Sequence, residues 1–283
     1  MHETPQSSYD SPPPATHPDY VIVGTGSSGA TLAGRLAEMT DARILVLEAG
    51  GNDDLREISE PGLWADSLKT RAASDFVTSP QIHTDGRVHA WPRGRVFGGS
   101  SAVNAMVFAR GHPSDFDGWA AEGCDGWSYA DVLPTFKAME SWEFGANDWR
   151  GADGPLTVVK PARDKRHPGA EAFMAACADL GFEETPDCNG ARMEGQHWVD
   201  MNLKDGKRHS AASAFLRPQM RRNQVQVLTD APVLGLRFDG TRCIGVSYLH
   251  AGRPVSVGVE EEVILCAGAL ESPRILMLAG IGP

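Results

Sequence analysis

Two glycine-rich segments carry residue types that could do chemistry. The first is Asp19-Tyr-Val-Ile-Val-Gly-Thr-Gly-Ser-Ser-Gly29, in which Gly24, Gly26 and Gly29 have GxGxxG spacing. Such a turn lets backbone amides close on phosphate oxygens, and the amide-rich end of a following helix favours a pyrophosphate. Nineteen residues past Gly29, Glu48 ends the run Arg43-Ile-Leu-Val-Leu-Glu48 and can accept a hydrogen bond from a ribose hydroxyl. The second segment, Gly98-Gly-Ser-Ser-Ala-Val-Asn104, places two glycines and two hydroxyls in a tight loop that a planar ligand or a phosphate could approach. A glycine turn alone is a weak signal, and an ordinary turn explains either segment taken singly. The strand before the first turn, the helix after it and the acid at the right distance together point to a dinucleotide site.

The elements that must hold these residues can be read from the pattern. Tyr20 to Val23 is apolar on both faces, as a central buried parallel strand is. Ala30, Ala33, Leu36 and Ala37 recur at helical spacing, with small residues at Gly29 and Ala33 for close approach to the sheet. A helix is expected from Ser128 to Ser141, with Ser128 as cap, Asp131 completing a capping box, Leu133, Phe136 and Met139 inward and a kink at Pro134. A second runs from Pro168 to Leu180 with Ala172, Phe173, Ala176, Cys177 and Leu180 on its inner face and Gly181 as its stop. Between Val225 and Cys266 the period becomes two. Strands near 233–238, 244–249 and 255–259 form an antiparallel meander, and Val263 to Cys266 re-enters the parallel sheet before a helix that starts near Ser272-Pro273.

Composition narrows the function classes. The chain has 283 residues, 41% apolar, with 26 basic and 37 acidic residues for a net charge of −11 and no basic tract. This disfavours nucleic acid and anionic membrane surfaces as partners. No run approaches the roughly 20 apolar residues of a membrane span. Five cysteines without a CxxC pair indicate neither a disulfide framework nor a zinc site, so a reducing compartment, the cytoplasm, is expected. Residues 1–18 lack the features of a secretory signal and read as a disordered leader.

Other enzyme classes lose their catalytic residues. None of Tyr9, Tyr20, Tyr129 or Tyr248 has a Lys four positions on, as a short-chain dehydrogenase needs, and no GxSxG elbow is present. His112, His167 and His209 lie in turn-like contexts and read as surface residues. No metal cluster stands out. Arg93 and Arg95 could supply positive charge near a ligand's phosphates or serve as salt-bridged surface charges and are left out of the site, and Trp119, Trp127, Trp142 and Trp149 could form a substrate wall but read rather as packing.

With these residues in view, the chain resembles the glucose-methanol-choline (GMC) family of flavoprotein alcohol oxidoreductases. Trp91 to Gly111 looks like that family's first signature and Gly268 to Gly282 like its second, and the resemblance covers nearly everything from Asp19 to Pro283. Phe97 stands where a smaller aliphatic is usual, and Ala279 replaces a usual serine. The fold implied is α/β: an FAD-binding Rossmann-like parallel sheet with an antiparallel β-meander, plus an incomplete α+β substrate domain. The expected division gives residues 19–158 and 224–283 to FAD binding and 159–223 to the substrate.

The resemblance implies non-covalent FAD. Gly24, Thr25, Gly26, Ser27, Ser28 and Gly29 would meet the pyrophosphate, Glu48 and Ala49 the adenosine ribose, and Val233 the adenine through its backbone. Val96, Gly99, Ser100, Asn104, Ala105 and Met106 would line the flavin. Some relatives attach the flavin through a histidine beside that asparagine, where this chain has Val103. The implied reaction is oxidation of an alcohol CH–OH group, as in choline dehydrogenases, by hydride transfer to flavin N5. The family's catalytic histidine would lie past the second signature, so the chain is expected to be a truncated N-terminal part, inactive by itself and lacking a C-terminal half. The other reading is a non-catalytic flavin-binding half or module that works with a separate C-terminal partner.

Overall fold

The computed structural model describes residues 17–222 and 224–282, so most of the expected leader, together with Asn223 and Pro283, lies outside the described residues. In chain order the main elements are β1 (Tyr20–Val23), α1 (Ser27–Met39), β2 (Ile44–Leu47), α2 (Pro113–Ala121), α3 (Tyr129–Met139), β3 (Glu140–Trp142), β4 (Leu156–Val158), α4 (Pro168–Asp179), β5 (Val225–Leu228), β6 (Val233–Asp239), β7 (Arg242–His250), β8 (Arg253–Gly258), β9 (Glu262–Leu265) and α5 (Gly268–Leu278). They fall into two compact units, residues 17–105 with 210–282, and residues 106–209. These limits differ from the sequence division at 158/159 and 223/224, because residues 106–158 pack with 159–209.

The first unit is built on a four-stranded parallel sheet in the order β5-β2-β1-β9. β1 is central, with Tyr20 to Val23 paired to Ile44 to Leu47 on one side and to Glu262 to Leu265 on the other. The two-faced apolar pattern explains the three layers. Ile22, Ile44 and Val46 point into a core with Ala30, Ala33 and Ala37 of α1, while Val21, Leu45 and Leu47 point into a core with Val246, Tyr248 and Val257 of the meander. The meander β6-β7-β8 is antiparallel, as its turn residues imply, and β9 rejoins the parallel sheet. The last helix begins at Gly268, four residues before the expected start, and Pro273 sits inside it. The hydroxyl of Ser272 accepts the Ala267 N–H at 3.0 Å, so the Ser-Pro pair supports the first turn from within rather than opening the helix.

In the second unit α3 starts where its sequence signal places it. Ser128 and Asp131 form the reciprocal capping box of α3, which ends at Met139 and contains Pro134. His112 and Asp115 do the same for α2. The α4 helix corrects an expectation: Phe173 is 68% exposed and Leu180 78% exposed, and no α4 residue is buried. Of the face expected to point inward, only Cys177 is partly covered. Helical spacing reveals a face but carries no information on what covers it.

Candidate functional site

The glycine turn sits at the carboxyl ends of the central strands, where open parallel sheets bind ligands. Gly24 donates its N–H to the Leu47 carbonyl at 2.7 Å and Cys266 donates to the Val23 carbonyl at 2.8 Å, which ties the ends of β1, β2 and β9 together. The helix α1 starts with Gly26 at its cap position, with no side-chain cap and no acidic residue in the first turn. Its leading amides, from Ser27, Ser28 and Gly29, therefore point out of the helix without intrahelical acceptors, and the positive end of the dipole is uncompensated. Gly29 is required sterically, since a Cβ there would overlap the Gly24 carbonyl oxygen.

The second glycine loop lies directly on this turn. Gly99 has φ of +52°, and a Cβ on it would come within 2.7 Å of the Gly26 Cα, so two glycine backbones face each other. The loop is fixed from below by the Phe97 N–H to the Gly51 carbonyl at 2.8 Å and by the Gly98 N–H to the Thr25 hydroxyl at 3.1 Å. The Ser101 hydroxyl accepts the Ala211 N–H at 3.1 Å, and the Ser100 hydroxyl accepts the Gly94 N–H at 3.1 Å.

Glu48 joins the two segments. It is 5% exposed, and its carboxylate accepts the Thr25 N–H at 2.9 Å, the Thr25 hydroxyl at 2.5 Å and the Gly50 N–H at 2.9 Å. Burial pushes its pKa above the usual 4.5, against the opposing effect of these hydrogen bonds from Thr25 and Gly50. A carboxylate offers about four acceptor positions, so three bonds leave room for a further donor. Ala231 donates to the Glu48 carbonyl at 2.8 Å and Asp230 to the Gly50 carbonyl at 2.8 Å, which brings the Ala231-Pro232-Val233 step beside the end of β2.

The first unit thus brings together Gly24, Thr25, Gly26, Ser27, Ser28, Gly29, Glu48, Ala49, Gly99, Ser100 and the Val233 step. Two of the expected site residues, Thr25 and Val96, spend their polar or apolar groups inward. Thr25 is fully buried, with both its N–H and its hydroxyl committed to Glu48. Val96 is also fully buried, in a core cluster with Ile58, Ala72, Ala102 and Val103. Asn104 is exposed and Ala105 half-buried. Met106 begins the second unit; it is 1% exposed with φ of +61°, an uncommon value for a residue with a side chain, and its carbonyl accepts the Asn202 N–H at 2.9 Å.

The second unit holds a polar cluster that the sequence reading missed. Arg150 is fully buried and donates to Glu140 at 2.9 Å, Asp187 at 2.7 Å and Asp200 at 2.6 Å, with its guanidinium 4.4 Å from the centre of the Trp142 ring. Arg110 donates to the same Glu140 oxygen at 2.8 Å, and Lys160 lies 3.0 Å from Asp200. Burial opposes the charge on Asp200, but the hydrogen bond and charge of Arg150 outweigh it and hold the carboxyl below its usual range. Arg150 partners Asp200 across 50 residues of chain, and Arg110 partners Glu140 across 30, so no local pattern announces either pair.

The three histidines separate. His112 and His167 are exposed and cap helices, each through a ring nitrogen that accepts a backbone N–H. His209 corrects the expectation of a surface residue: it is 7% exposed, and its Nδ1 accepts the Thr157 N–H at 3.1 Å. Burial lowers its pKa, and with Nδ1 accepting, the neutral ring carries its proton on Nε2.

The architecture is that of a Rossmann-type nucleotide-binding fold with an added antiparallel layer. The GMC oxidoreductase family model matches residues 18–283, and the chain belongs to that family. It is 44% identical over 271 residues to the mitochondrial choline dehydrogenase of Homo sapiens, covering 93% of this chain and 45% of that protein. It is 41% identical over 267 residues to the oxygen-dependent choline dehydrogenase of Sinorhizobium fredii, covering 94% and 48%. The structure of pyridoxine 4-oxidase from Mesorbium loti superposes with a TM-score of 0.89 at 38% identity, covering 94% of this chain and 52% of that one. The chain spans about half the length of the relatives it matches.

Proposed function

We propose that this chain forms the FAD-holding part of an oxidoreductase that acts on the CH–OH group of a small alcohol, with choline-like alcohols the first candidates. The observation that carries the reading is the pair of facing glycine backbones, Gly26 and Gly99, above an uncapped helix start and beside a buried carboxylate. A Cβ at Gly99 would close that approach, and the donor set fits a dinucleotide: outward amides for a pyrophosphate and a carboxylate for a ribose. The names of the relatives, two choline dehydrogenases and a pyridoxine 4-oxidase, support an alcohol as substrate.

In this reading the amides of Ser27, Ser28 and Gly29 hold the pyrophosphate, Glu48 accepts from the ribose, and the Val233 backbone meets the adenine. Ser100, Asn104 and Ala105 lie along the loop assigned to the flavin ring, and the Val96 contribution is confined to its backbone because its side chain is in the core. Met106 belongs to the other unit and is not used. Bound FAD would supply the hydride acceptor. No residue of this chain is given the alcohol's proton, because the resemblance puts that histidine in the half of the relatives that these 283 residues do not span. Val103, turned into the core at 3% exposure, offers no point of attachment, which supports non-covalent binding.

A cytoplasmic setting accompanies the proposal; the five cysteines are free, and among the described residues no helix is long and apolar enough to cross a membrane. The test is to load the purified chain with FAD, desalt it, record its flavin spectrum, release the flavin with acid and then add choline and other alcohols anaerobically to a second sample. The reading expects retained flavin that acid releases and that no alcohol bleaches. A chain that retains no flavin overturns the cofactor assignment, and bleaching overturns the placement of the proton acceptor outside it.

A further inference from the structure

We propose that Thr25 is a positioning residue that locks the two glycine loops together, so that the ribose-binding carboxylate and the flavin-side loop are set by one hydroxyl. The inference rests on the FAD reading above. The geometry is directional. The Thr25 hydroxyl has one proton, and Glu48, an acceptor only, takes it at 2.5 Å. The hydroxyl lone pairs are then left for a donor, and the Gly98 N–H supplies one at 3.1 Å, across 73 residues of chain. The relay runs from Gly98 through Thr25 to Glu48, and its direction is fixed by the carboxylate.

The position of the relay makes it more than a local bond. Gly98 precedes Gly99, whose backbone makes the close approach to Gly26, and Gly98 itself has φ of +97°. The Thr25 backbone N–H also donates to Glu48, so one residue holds the carboxylate from two sides. Thr25 is fully buried and Glu48 is 5% exposed, so water does not compete for these bonds. Thr25 acts through Glu48 and Gly98, with both its N–H and its hydroxyl proton given to Glu48.

A merely space-filling residue at this place could be replaced by valine, which keeps the branched shape and loses the hydroxyl. The conservative control is Thr25→Ser, which keeps the hydroxyl and loses a methyl. Loss of a buried hydrogen bond to a charged group is expected to weaken FAD binding by about tenfold or more in Thr25→Val, whereas Thr25→Ser should stay within about threefold of the parent chain.

The experiment measures FAD affinity by flavin fluorescence for the 283-residue chain, Thr25→Val and Thr25→Ser, together with amide hydrogen exchange at Gly98 in the absence of FAD. The proposal expects a protected Gly98 amide in the parent and in Thr25→Ser, fast exchange in Thr25→Val, and an affinity loss confined to valine. Equal FAD affinity for valine and parent overturns it, as does a Gly98 amide that exchanges freely in the parent, a result that stands even if Thr25→Val does not fold. If the parent binds no FAD, the cofactor reading fails, while the exchange measurement still decides whether Thr25 holds the loop.

Discussion

Two buried carboxylates, one in each unit, are treated oppositely by their surroundings. Glu48 in the first unit is held by a hydroxyl and two backbone amides, and burial raises its pKa. Asp200 in the second is held by Arg150 and Lys160, and its pKa is lowered. Neutral dipoles and the charge of Arg95 do not offset the burial of Glu48, which keeps acceptor capacity to spare. The arginine hub neutralises Asp200 within the fold. The first arrangement suits a group that must meet a ligand and the second a group that holds a unit together.

Breaking the hub should produce the largest effect. Arg150→Ala leaves Glu140, Asp187 and Asp200 without their shared cation and is expected to destabilise the second unit by about 3–5 kcal/mol, read from the shift of its urea unfolding midpoint. Gly29→Ala comes next. It drives a methyl into the Gly24 carbonyl, so FAD retention on desalting should be lost while the second unit's unfolding is unchanged.

The pH dependence sharpens the contrast. Asp200 has a folded pKa below its ordinary 3.8, so its stabilisation is fully present above that value and is lost as pH falls through the folded value. His209, lowered from 6.5 by burial, adds a loss that starts as pH falls below 6.5. Glu48 has the opposite sign: raised above 4.5, it favours the fold most below that value and loses this advantage as pH rises through its folded pKa. Urea unfolding followed across acid pH should therefore weaken the second unit, and His209→Gln should remove the part of that loss nearest neutrality. Ser128→Ala should have the smallest effect, about 1 kcal/mol from the lost cap of α3.

The contrast also explains what was legible in the sequence. The β1 strand, the glycine turn and α1 are contiguous, and the apolar residues of β1 and β2 alternate between two cores, so local pattern and tertiary environment agree. The meander was readable for the same reason, since its turns lie between the strands they join. The start of α5 was not, because Ser272-Pro273 resembles a helix opening while the Ser272 hydroxyl in fact serves Ala267. The burial of His209 and the Arg150 hub were hidden because their partners, Thr157 for one and Asp200 for the other, lie some fifty residues away. The apolar face of α4 was visible in the sequence, but its exposure was not. The Thr25 relay lay within the glycine turn, yet its acceptor role toward Gly98 spans 73 residues.

The most direct test of the account is calorimetric titration of the 283-residue chain with FAD, and with NAD as the competing dinucleotide. The account predicts one FAD bound per chain, weakened in Gly29→Ala, and no heat with NAD. Binding of NAD in preference to FAD, or FAD binding that Gly29→Ala leaves intact, would contradict it.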